Sequence, residues 1–132
     1  MRGLSGTLMI GIGILHTVFG FVIGRQRLTE IVSDGFLNAV GNDLGRNSIF
    51  WFMFAGFAWV ILGYFCLWFE RQFRRPVPAL VGWELLLFAA LGIALMPVSG
   101  FWLILGVAVY MLVVARHASS LTKESSVEGD TP

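Results

Sequence analysis

The stretch Thr7–Gly24, TLMIGIGILHTVFGFVIG, carries His16 as its only ionisable side chain. About 20 apolar residues at a 1.5 Å rise cover the roughly 30 Å hydrocarbon core of a bilayer. A run of this kind restricts the chain to a helix, whose backbone hydrogen bonds are all satisfied internally. On a wheel of 100° per residue with His16 at zero, Met9 falls near ~20°, Gly20 near ~40°, Gly13 near ~60°, and Gly6 and Gly24 near ~80°. His16 thus shares a side with four glycines. Gly6, Gly13 and Gly20 repeat at heptad spacing and allow a second helix to approach closely. His16 is therefore expected to face other helices and not lipid, since an ionisable group inside a membrane is costly without a partner or water.

The rest of the chain has the same character. With 132 residues, 57% hydrophobic and 13% charged, and a mean hydropathy of +0.80, it is too apolar for a water-soluble globule of this size. It reads as one integral membrane domain over residues 1–118. The net charge is +1 and the basic residues are scattered between apolar runs, which excludes a nucleic-acid partner. A single cysteine, Cys66, permits neither an intrachain disulfide nor a thiolate metal cage. A secretory signal is the competing reading of the first run, with Val22 and Gly24 at small-residue spacing. The run is longer than a signal needs, and its glycine face suits packing.

Four spans are expected, at about 6–24, 48–69, 77–97 and 99–116, giving an all-α integral membrane four-helix bundle. Between the first two, Arg25 to Asn47 is polar. Leu28, Ile31, Val32, Phe36, Val40 and Leu44 keep a helical spacing there, which predicts an amphipathic segment lying in the membrane interface. The segment reads as a connector resting on the bundle, or alternatively as a lid over its outer mouth. Ser48 is the expected N-cap of the second span, where Gly56 and Gly63 repeat the heptad spacing. Trp51 and Trp68 mark its two interfaces, as Trp83 and Trp102 do for the following pair. From Val77 to Ala115 the one charge is Glu84, in a run about twice the length of a span, and MPVSGFW at Met96–Trp102 supplies the break. Residues 119–132 read as a disordered polar tail.

Lys and Arg counts set the orientation. Arg2, Arg71, Arg74, Arg75, Arg116 and Lys123 fall on one side of a four-span chain, and Arg25, Arg27 and Arg46 on the other with Glu30, Asp34 and Asp43. The positive-inside rule places both termini in the cytoplasm.

The motifs GIGILHT, FWFMFAGF, LVGWELL and LMPVSGFWLIL together resemble a family of small four-span bacterial inner-membrane proteins without assigned function. The likeness covers most of residues 8 to 112 and is most specific at the hairpin. It implies the four-helix topology and a bacterial cytoplasmic membrane. It implies no activity and no catalytic residues.

Estimated depths put His16 about 3 Å outward of the membrane middle, Tyr110 about 3 Å inward, Glu84 about 6 Å inward and Tyr64 about 7 Å inward. Each helix thus offers one polar-capable side chain to a middle slab. If they converge, a base, an acid and two hydroxyls form a small buried site. The alternatives are structural. His16 serves as packing glue to a backbone carbonyl, Glu84 snorkels toward Arg71, Arg74 and Arg75, and the two tyrosines simply pack. His117 sits at the inner end of span four, too far in depth to join His16 as a haem ligand, and no set of zinc ligands is visible. No cofactor or metal is expected.

The reading that follows is a small membrane protein binding or transporting a lipophilic small molecule, with His16 as its polar centre. A structural or accessory subunit, joined to a second copy or another membrane protein through its glycine faces, is the alternative. A membrane enzyme using His16 and Glu84 for proton transfer is another.

Overall fold

The computed structural model describes residues 3–128, with side chains described for residues 3–120. Among the described residues the chain is all-helical: α1 (Leu4–Ser33), α2 (Leu44–Phe73), α3 (Ala79–Leu95) and α4 (Phe101–Glu128). Three segments, α1, α2 and Phe101–Ser120 of α4, are long and apolar enough to cross a membrane. With 17 residues, α3 is about 25 Å long and just short of a straight crossing.

The helices are arranged as two antiparallel hairpins, α1/α2 and α3/α4, joined mainly by α1 against α4. The first hairpin is drawn together by glycine. A Cβ on Gly13 would stand 2.7 Å from the Val60 backbone nitrogen and 2.9 Å from the Gly56 carbonyl oxygen. One on Gly63 would stand 2.7 Å from the Ile10 nitrogen and 3.0 Å from the Gly6 oxygen. The two backbones touch, as small residues at heptad spacing allow. In the second hairpin Gly82 receives Leu112 and Gly92 receives the Phe101 ring. A core of Met9, Cys66, Leu85, Ala89, Ala108 and Met111 unites the two hairpins, and Trp59 meets Phe88 across the α2/α3 seam with ring centroids 5.8 Å apart.

Three expectations are revised. The first helix runs past residue 24, where the first span was expected to end, and continues to Ser33, with Gly24 buried where Ile49 presses against it. The separate interfacial helix expected over 25–47 is accordingly not formed. Leu28 and Ile31 keep their helical spacing as part of α1, packing with Ile49 and Met53 of α2. The N-cap of α2 is Asp43, whose Oδ1 accepts the Arg46 N–H at 2.9 Å, whereas the Ser48 hydroxyl donates back to Leu44 O at 2.7 Å. α4 runs to Glu128, and residues 129–132 of the expected polar tail lie outside the described residues.

Residues 34–43 form the connector of the first hairpin, with Phe36 and Asn38 at positive φ. Arg46 staples it: Nη1 donates to Asp34 Oδ2 and to Ala39 O, both at 2.7 Å, and Nε lies 3.6 Å from Glu30 Oε2. Arg27 pairs with the same Glu30 oxygen at 3.0 Å. The connector is closed down by these ion pairs. The shorter turn of the second hairpin is held by Ser99 Oγ donating to Met96 O at 2.6 Å and Trp102 Nε1 to Pro97 O at 2.9 Å.

Candidate functional site

His16 lies on α1 near the middle of the first hairpin. Its Nε2 is 3.1 Å from Phe52 O, and its ring stacks on the Phe52 ring at 3.9 Å with 16° between planes. A carbonyl can only accept, so Nε2 carries a proton. The Cδ2 edge also faces α2, 3.2 Å from where a Cβ of Gly56 would be. With Cδ2 and Nε2 turned to α2, the Nδ1 edge points the other way. In the neutral ring Nδ1 is then a bare acceptor. No hydrogen bond reaches it from the described residues, and the side chain is half-buried.

The other three candidates do not gather around it. Glu84 is exposed on α3, which does not pack against α1, and it pairs with none of Arg71, Arg74 and Arg75 among the described residues. Tyr64 is 60% exposed on the outside of α2. Tyr110 is half-buried on α4, and its hydroxyl is buried without a hydrogen-bond partner among the described residues. No hydrogen bond among the described residues links any of the four side chains to another. No group of three or more His, Cys, Asp or Glu among the described residues is placed to hold a metal.

The carboxylate that does turn inward is Glu70. It is 5% exposed and its Oε2 accepts the Gly6 N–H at 3.5 Å, beside buried Ser5 in the first turn of α1. The helix N-terminus presents free N–H groups and a partial positive charge, which suit an anion. Sequence reasoning placed Glu70 in the basic connector and missed it. The signal was present: Gly56, Gly63 and Glu70 stand at heptad spacing, so Glu70 continues the face that α1 covers.

Residues 1–118 match the model of DUF6463, a family of unknown function. The chain belongs to this family. The match spans α1 to α3 and most of α4, and so includes His16, Tyr64, Glu70, Glu84 and Tyr110. No curated protein and no solved structure matches the chain.

Proposed function

We propose that this DUF6463 protein is a four-span protein of the bacterial cytoplasmic membrane, with both termini in the cytoplasm, that binds a small lipophilic molecule carrying a hydrogen-bond donor. The observation that carries the reading is the His16 ring. Its Nε2 proton is committed to Phe52 O, which leaves Nδ1 as an acceptor on a half-buried side chain in the apolar middle of α1. An unpaired acceptor surrounded by hydrocarbon costs about 1–3 kcal/mol, which a hydroxyl or N–H group of a membrane-dissolved ligand removes. His16 fixes the ligand's polar end, and the apolar surface beside it accommodates the rest. Transport fits the same reading if the ligand leaves toward one leaflet.

The test is extraction of the protein with its surrounding lipid and mass spectrometry of the co-extracted small molecules. Wild type should retain a donor-bearing lipophile that His16→Phe loses by about tenfold, the value of one good hydrogen bond. Equal small-molecule content in the two proteins would rule the reading out.

The exposed position of Glu84 favours a second reading. A carboxylate on the outer face of an apolar helix, about 4.5 Å from its midpoint, is costly against lipid and is relieved by a donor on another membrane protein. In this accessory role a stoichiometric membrane partner co-purifies with wild type and is lost in Glu84→Leu, while His16→Phe keeps it. The proton-transfer enzyme has no support of this kind, because its two groups sit on helices that do not pack together.

A further inference from the structure

The two ends of the bundle treat their arginines differently. At the end of the 34–43 connector, Arg27 and Arg46 are held by Glu30 and Asp34, and Arg25 alone makes no ion pair with the described residues. At the opposite end Arg71, Arg74 and Arg75 make no ion pair and no side-chain hydrogen bond with the described residues. The nearest acid in sequence, Glu70, is turned into the core toward Gly6 and does not neutralise them.

Arg74 and Arg75 follow in sequence at the end of α2, and Arg71 within it lines a groove of about 320 Å³ together with Tyr64, Leu67, Trp68 and Gln72. Their spacing puts them on one stripe of the helix. Four of the five carry donors: a phenol, an indole N–H, a guanidinium and an amide. None of these donors is engaged by any described residue. Trp68 is held in place by its neighbours, with Phe65 and Phe73 rings both 5.8 Å away. The groove therefore offers a fixed ring, an apolar floor at Leu67 and unpaired donors beside a cluster of positive charge.

We infer that this groove binds the phosphodiester headgroup of an anionic phospholipid, with Arg71 and Gln72 on the phosphate and Trp68 and Tyr64 along the glycerol and upper acyl chain. Charge complementarity selects the anionic headgroup, since three unpaired arginines raise the local concentration of anionic lipid over zwitterionic lipid. Planar guanidinium groups also match phosphate oxygens in pairs. The lipid, and not free phosphate, is the occupant because the groove continues from its charged end along the apolar and aromatic residues Leu67, Trp68 and Tyr64. The inference rests on the membrane-spanning reading above.

The experiment places the full chain in nanodiscs of equal phosphatidylglycerol and phosphatidylcholine and measures retained lipid by native mass spectrometry. Wild type should retain phosphatidylglycerol preferentially. Arg71→Gln should cut that preference about fivefold, and the triple change of Arg71, Arg74 and Arg75 to Gln should abolish it. Arg25→Gln, at the other end of the bundle, should leave it intact. Equal retention of the two lipids by wild type, or an unchanged preference in the triple variant, overturns the proposal. So does full displacement of the lipid by glycerol phosphate at matching concentration, which would show that the groove reads phosphate alone. Helical circular dichroism of each variant confirms that it is folded. Failure of wild type to float with vesicles would instead refute the membrane reading on which the site depends.

Discussion

Replacing Gly13 by alanine tests the packing of the first hairpin directly. The added Cβ would stand 2.7 Å from the Val60 nitrogen and 2.9 Å from the Gly56 oxygen, where ordinary contact begins at 3.4 Å. These are backbone atoms, so no side-chain rotation relieves the clash, and the two helices must separate locally by about 0.5–0.7 Å. A gap of 0.5–1 Å forfeits a quarter to a half of each affected dispersion contact. Overpacking of this kind costs about 1–3 kcal/mol, while alanine returns about 0.5–1 kcal/mol of helix propensity. The net expected loss is about 1–2 kcal/mol. Gly11, on the same helix, is the control, since nothing lies within 4 Å of its Cβ position. Gly11→Ala should be neutral or stabilising by up to about 1 kcal/mol. The assay is reversible unfolding in mixed micelles with increasing dodecyl sulfate, followed by helical circular dichroism. If Gly13→Ala proves as stable as Gly11→Ala, the close approach of α1 and α2 is not what holds the hairpin.

Three further outcomes are expected. Glu70→Ala leaves the buried Gly6 N–H without its acceptor and should cost about 1–3 kcal/mol in the same unfolding assay. Tyr110→Phe removes a buried hydroxyl that has no hydrogen-bond partner among the described residues, so stability should be unchanged or rise by about 1 kcal/mol; a clear loss would reveal an ordered water or ligand on that oxygen. The Asp43 carboxyl is held below its ordinary value of 3.8 chiefly by the Arg46 N–H, with the Arg27 and Arg46 charges assisting. A depressed folded-state value means that its stabilising contribution is present above pH 3.8 and lost as pH falls through the lowered value. Asp43→Ala should lower the thermal midpoint at neutral pH, and the difference from wild type should shrink on acidification below that point.

Much of the fold is legible in the chain because it is written by length and spacing. The apolar runs specify helices, the heptad glycines specify which faces meet, and Pro97 with Ser99-Gly100 specifies the second turn. What was not legible was how far the first helix runs. Gly24 belongs to the glycine face and is a packing notch for Ile49, but spacing did not reveal that α1 runs on past residue 24 and absorbs the start of the amphipathic segment. Partner faces were also hidden. Gly6, Gly13, Gly20, Gly24, Gly56 and Gly63 all meet neighbours within the chain, while nothing lies within 4 Å of a Cβ at Gly11 or Gly106. The polar candidates were chosen by depth, which says nothing of direction around the helix axis. Depth alone grouped Glu84 and Tyr64 with His16, although both face outward. Direction, read from the Gly56–Gly63 row, would have singled out Glu70.

The pairing of helices within hairpins also bears on how the protein is made. Each pair of packed helices is joined by a short connector, so each closes a small loop at little entropic cost. Such local contacts form early. The first hairpin holds its glycine seam and its Arg46 staple entirely within residues 3–73, so these contacts need nothing from α3 or α4 to form. The second hairpin meets it through α1 against α4, the shared core and the Trp59–Phe88 contact. The fold is thus two locally closed halves, joined along the chain by residues 74–78.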